Sequence, residues 1–173
     1  MNAPLEQALA APFGTITGLI QLHAEQAPQR RALVQDGQSL TYAELDARMD
    51  RVAAALQRDG VLPSEAIAIC AGTSIAYAVT YLGALRAGVV VAPLAPGATA
   101  ESLAGMLRDA GAKLLFIDRS VVELLGDQAA AVPRVALDDA AAGRPWTLWL
   151  AVPGRRPQPV QLGAQWPFNI IYS

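Results

Sequence analysis

Residues 74–118, SIAYAVTYLGALRAGVVVAPLAPGATAESLAGMLRDAGAKLLFID, constrain the fold more than any other part of the chain. Ile75, Ala78, Val79, Leu82 and Leu85 recur at helical spacing, which predicts a helix with one apolar face turned to a core. Arg86 sits in its last turn and Gly88 ends it, because a glycine takes the left-handed conformation that closes a helix. Val89, Val90 and Val91 follow without alternation, the mark of a strand buried on both faces. A proline loop leads to Thr99, a cap for a second helix with Glu101 in its first turn and Leu103, Met106, Leu107 and Ala110 on its apolar face. Gly111 closes that helix before another unbroken run, Leu114 to Ile117. Helix, strand, helix, strand in this order predicts an α/β fold, a mostly parallel sheet with right-handed crossover helices on both faces.

Flanking segments extend the pattern. Residues 1–14 read as a flexible lead with two prolines, and a first helix starts after Thr15, its face carrying Ile16, Leu19, Ile20, His23 and Ala27 until Pro28. Asp36-Gly37 between two short apolar runs predicts a hairpin. Thr41 and Glu44 form a T-x-x-E capping box for a helix that buries Leu45, Met49, Val52, Ala53 and Leu56. Arg48, Arg51, Arg58 and Asp59 are expected on its solvated side. Residues 66–70 predict a buried strand ending in Cys70, a further helix is expected at 121–125, and a strand at 135–137. Residues 140–165, with four prolines, three arginines and two tryptophans, read as an irregular excursion or edge strands, and 168–172 as a return to a buried strand. That ending, a strand with no following helix, gives the expectation of a truncated α/β domain whose unfinished sheet is open to self-association or a homo-oligomer.

Composition narrows the chemistry. A net charge of −2, with acids and bases interspersed, gives no footprint for nucleic acid. The single cysteine excludes an intramolecular disulfide and a multi-cysteine metal site and fits a reducing compartment, so the expected location is cytoplasmic. Residues 66–85 carry no charge, yet Gly72, Thr73 and Ser74 break the run, so no membrane span is expected.

Reactive constellations are sparse. Gly72-Thr73-Ser74-Ile75-Ala76 follows a strand and opens a helix, as a nucleophile elbow does, but the sole histidine, His23, lies upstream and no base follows Ser74. Ser74 therefore reads as a helix cap, and His23 as a helix-surface or core residue. Arg155-Arg156 reads as a solvated pair rather than a phosphate site, and no catalytic or metal-ligating residue is assigned.

The order of segments is more telling. LTYAEL at 40–45, YLGALRAGVVVAPL at 81–94 and ESLAGMLRDAGAK at 101–113 resemble, in sequence and spacing over residues 16–118, the AMP-forming acyl-CoA synthetases of the adenylate-forming superfamily. NIIYS at 169–173 is similar to the strand entering that family's Ser/Thr/Gly-rich phosphate loop. The chain departs from the family at Ser64-Glu65, Thr73 and Ala95, and has GATAE at 97–101 where peptide-synthetase adenylation domains carry Y-P-x-x-R.

The resemblance implies that residues 15–173 are the N-terminal portion of an AMP-binding domain, part of the large N-terminal domain of an adenylate-forming enzyme. It implies an ATP-dependent acid:CoA ligase using ATP, Mg²⁺ and coenzyme A, acting on a small carboxylic acid, for example in fatty acid metabolism. An adenylation domain serving a carrier protein is the nearest alternative, and a non-enzymatic interaction domain the next. Ser173 would supply the first hydroxyl of the phosphate loop, the one ATP-binding residue implied. By the same reading residues 1–173 alone do not adenylate.

Overall fold

The computed structural model describes residues 3–125, 132–139 and 143–173. Its elements run α1 (Ala3–Ala10), α2 (Ile16–Gln26), β1 (Arg31–Gln35), β2 (Gln38–Thr41), α3 (Tyr42–Arg58), β3 (Ala66–Cys70), α4 (Ile75–Arg86) and β4 (Val90–Pro93). After these come α5 (Ala100–Asp109), β5 (Leu115–Ile117), α6 (Arg119–Leu125), β6 (Arg134–Ala136), β7 (Arg144–Pro145) and α7 (Trp146–Trp149).

Among the described residues the main sheet has the order β4-β3-β5-β6-β7, with every pair parallel. Its strands are buried without alternation, and the two faces build two cores. Ile67, Ile69, Val91 and Phe116 point into the layer of α3 and α4, while Ala68, Cys70, Ala92, Leu115 and Ile117 meet Leu103 and Leu107 of α5 and Val121 and Leu125 of α6. This is the α/β architecture that the run of residues 74–118 predicts. The hairpin β1-β2 turns on Asp36 (φ 48°) and Gly37 (φ 78°), two consecutive positive φ angles that a two-residue turn demands. The helix starts are capped by Thr15, Thr41, Ser74 and Thr99, and the Thr41–Glu44 capping box is complete in both directions, at 3.3 and 2.8 Å.

Several expectations need correction. Within the supposed flexible lead, Ala3–Ala10 forms a helix, favoured by its alanine, leucine, glutamate and glutamine. Ile16 is 55% exposed, because α2 buries Thr17 and Ile20 instead. In α4 the most deeply buried positions are Val79, Thr80, Gly83 and Ala84, with Ile75, Leu82 and Leu85 packed at the margin. The reason is a close helix contact: a Cβ at Gly83 would lie 2.5 Å from Val52 Cβ, so only glycine lets α4 approach α3 here.

Arg51 and Asp59 are not merely solvated. Arg51 Nε donates to the Ala151 carbonyl at 2.6 Å, and Asp59 accepts the Trp149 indole N–H at 2.7 Å. Arg86 does more than face a helix dipole, since its guanidinium reaches Asp46 (2.6 Å) and Asp50 (2.8 Å) on α3. The excursion over 140–165, of which 140–142 lie outside the described residues, begins with β7 and α7 and continues as an extended strap. Gln57 on α3 clasps the Gln158 backbone at both its N–H (2.7 Å) and its carbonyl (2.9 Å). Finally, 168–172 is not a buried strand: only Asn169 bridges to Val91, and Phe168 and Ile171 are 58% and 74% exposed. Ile170 and Tyr172 pack against the cluster that holds Leu103 and Leu107 of α5, while Phe168 and Ile171 stay exposed.

Candidate functional site

Parallel sheets place ligands beyond the carboxyl ends of their strands, where neighbouring crossovers leave to opposite faces. Here β3 leads to α4 on one face and its neighbour β5 leads to α6 on the other. The crevice between them is bridged by the chain itself. Asp118, one residue past β5, accepts the Gly72 N–H at 2.7 Å through one oxygen and the Ser120 N–H at 3.0 Å and hydroxyl through the other. Cys70 lies beneath this bridge, fully buried, and burial, aided by the Asp118 charge, pushes its thiol up to about 12. It is a core residue, as the sequence suggests.

Ser74 is occupied as a cap: its hydroxyl accepts the Tyr77 N–H at 3.0 Å. His23 stacks on Tyr42 with ring centroids 4.7 Å apart, and no hydrogen bond joins it to Ser74, so the elbow-like motif is not a nucleophile paired with a base. Arg155 and Arg156 are exposed on the strap. Among the described residues no three His, Cys, Asp or Glu side chains converge into a metal cage.

The segment 168–173 runs parallel to β4 and carries Ser173 out beyond the strand ends, exposed. It is held first by backbone bonds, Val91 N–H to the Phe168 carbonyl at 3.0 Å and Ile170 N–H to the Val91 carbonyl at 2.9 Å. Then the Tyr172 hydroxyl meets the Met106 carbonyl (3.0 Å) and Asp109 Oδ2 (2.9 Å) at the end of α5. Partial burial, reinforced by the Asp109 carboxylate, pushes the Tyr172 phenol up. A cleft of about 470 Å³ lined by Ile16, Tyr81, Leu85, Val89, Trp166 and Phe168 lies at the other end of this segment. Ser173 is five residues on from Phe168, roughly 17 Å along an extended chain.

Sequence reasoning passed over Asp118 and Tyr172. Asp118 carries a local signal, an acid two residues before a serine, but its bond to Gly72 spans 46 residues. Nothing local pairs Tyr172 with Asp109.

A family model for AMP-binding enzymes matches residues 20–173. The chain belongs to the AMP-binding enzyme family. Relatives of this AMP-binding chain include malpibaldin synthetase of Mortierella alpina, 35% identical over 130 residues, which are 75% of this chain and 2% of that protein. AMB antimetabolite synthetase AmbB of Pseudomonas aeruginosa is 36% identical over 124 residues, 71% of this chain and 10% of that one. Among solved structures, a long-chain-fatty-acid CoA ligase of Rhodopseudomonas palustris superposes with a TM-score of 0.84 at 21% identity, covering 92% of this chain and 42% of that one. A benzoate CoA ligase from Burkholderia xenovorans gives a TM-score of 0.66 at 28% identity over 76% of this chain and 29% of that one. The AMP-binding chain thus spans a small part of its curated relatives and under half of these solved structures, and its fold is that of adenylate-forming N-terminal domains. No helix among its described residues is long and apolar enough to cross a membrane.

Proposed function

We propose that this chain is part of an enzyme that activates a carboxylic acid with ATP and passes the acyl group to a thiol. The observation that carries the reading is the match of the AMP-binding enzyme family model to residues 20–173. A carboxylate is a poor electrophile until one oxygen becomes a leaving group. In the proposed reaction a carboxylate oxygen bonds to the α-phosphorus of ATP as the bond to pyrophosphate breaks. The thiolate then attacks the acyl carbon and AMP leaves.

The residues present fit ATP only in part. Ser173 would supply one exposed hydroxyl able to donate to a phosphate oxygen, a single donor where a phosphate cradle needs several. Among the described residues no three His, Cys, Asp or Glu side chains converge on a site for Mg²⁺; bound with ATP, the ion would neutralise phosphate charge. What this chain contributes is the rigid parallel sheet and the anchored segment that aims Ser173.

For the acceptor, two observations pull apart. The curated relatives carry peptide-synthetase and antimetabolite-synthetase names, such as phosphinothricin tripeptide synthetase PhsB at 36% identity, which favours a carrier-bound thiol. GATAE at 97–101 and the 28% identical benzoate CoA ligase favour coenzyme A. ATP–pyrophosphate exchange by the full-length protein across a panel of amino, aryl and fatty acids tests the first half-reaction. Exchange with one acid class supports the proposal and none with any overturns it. Thioester formation with coenzyme A, against a phosphopantetheinylated carrier, then decides the acceptor.

A further inference from the structure

Among the described residues, the last backbone hydrogen bond of the terminal segment is Ile170 N–H to the Val91 carbonyl. Beyond it Ile171 is 74% exposed, and neither Ile171 nor Ser173 is bonded to the sheet. The next attachment is a side chain. The Tyr172 ring packs among the apolar residues of α5, and its single O–H lies between two acceptors, the Met106 carbonyl and Asp109 Oδ2, at 3.0 and 2.9 Å. The Met106 carbonyl also receives the Ala110 N–H, so the phenol joins the closing turn of α5. That helix is itself fixed at both ends, by the Thr99 cap and by Gly111 in the left-handed region (φ 60°). A capped helix end and a hydroxyl shared between two acceptors on it make the phenol the point from which Ser173 takes its direction.

We infer that Tyr172 and Asp109 are positioning residues, fastening the chain to the end of α5 so that the Ser173 hydroxyl is held where a nucleotide phosphate would meet it. The inference rests on the ATP-binding reading proposed above. Neither residue touches the phosphate: each acts through Ser173. A phosphate that meets a loosened Ser173 must order it first, so the penalty falls on ATP binding and not on acid binding.

The experiment uses Tyr172→Phe, Asp109→Ala and Asp109→Asn. In the Met1–Ser173 chain, amide hydrogen exchange at Ile170 to Ser173 is followed by NMR. Tyr172→Phe and Asp109→Ala are expected to lose protection at Ile170 and to broaden Ser173, while Asp109→Asn, which keeps an acceptor, stays close to wild type. Unchanged Ile170 and Ser173 signals in Tyr172→Phe overturn the fastening. In the full-length protein, ATP–pyrophosphate exchange should show KM for ATP raised about three- to tenfold in Tyr172→Phe and Asp109→Ala, the equivalent of one lost hydrogen bond. KM for the acid should be unchanged, and Asp109→Asn should restore the ATP value. A purely structural role would lower kcat through the folded fraction and leave both KM values alone, which overturns the inference. Absence of exchange in wild type, with the NMR response intact, refutes the ATP-binding reading while leaving the fastening in place.

Discussion

The indole N–H of Trp146 donates to the hydroxyl of Thr80 at 2.9 Å, and both side chains are buried, Thr80 completely. This bond ties α7 to the middle of α4 across 66 residues of sequence and satisfies two polar groups that water cannot reach. Thr80→Val keeps the shape and removes the acceptor, so it should destabilise the chain by about 1–3 kcal/mol, the cost of an unpaired buried donor. Adding Trp146→Phe to Thr80→Val should cost less than the sum of the two single changes, because both polar partners are then gone. Urea denaturation of the four species checks the cycle.

Gly83 predicts a second effect. Its missing Cβ is the space that Val52 Cβ and the Met49 carbonyl occupy, at 2.5 and 3.0 Å from where the atom would be. Gly83→Ala improves helix propensity by about 1 kcal/mol but forces α3 and α4 apart, an overpacking cost of about 1–3 kcal/mol. The expected result is a lower Tm by circular dichroism, relieved in part when Val52→Ala is added.

Cys70 should be inert in the folded chain. Cys70 is 1% exposed and its thiol is pushed up to about 12, so thiolate is scarce at pH 8 and the residue is covered. Labelling with a thiol reagent at pH 8 should follow global unfolding and accelerate in urea with the unfolded fraction. Fast stoichiometric labelling in buffer would contradict the packing.

Acid should weaken the start of α3. The Thr41 backbone N–H bond, aided by the Thr41 hydroxyl, holds the Glu44 carboxyl below its ordinary value, and the Leu62 N–H and Lys113 do the same for Glu65. A depressed folded pKa means stability that is present above the ordinary carboxylate value and is lost as pH falls through the folded one. The Tm difference between wild type and Glu44→Ala should therefore be present at pH 7 and shrink as pH is lowered through the carboxylate range.

What could be read from the sequence was whatever is decided locally. Caps at Thr15, Thr41, Ser74 and Thr99, the Asp36-Gly37 turn, and the unbroken apolar strands each depend on neighbours a few residues away, and all match the structure. What was not legible is decided by distant partners. Arg51 and Asp59 look solvated in a helical pattern and Arg86 reads as a last-turn charge facing the dipole, yet each meets a group 36 to 100 residues away. The burial of Thr80 and Gly83 likewise follows from how closely α3 and α4 approach. At the candidate site, Ser173 was placed by resemblance alone, whereas the Tyr172–Asp109 contact depends on the two ends of a crossover meeting in space.

The strap also bears on biosynthesis. Arg51 and Gln57 find their partners about one hundred residues later, at Ala151 and Gln158. At roughly 5–20 residues per second, the outer side of α3 spends about 5–20 s on the ribosome before those partners are made. The hairpin, α3, β3 and α4 therefore have to hold together during elongation without the clasp that later covers them, and a nascent chain stalled before Trp146 would present that uncovered helical layer to chaperones.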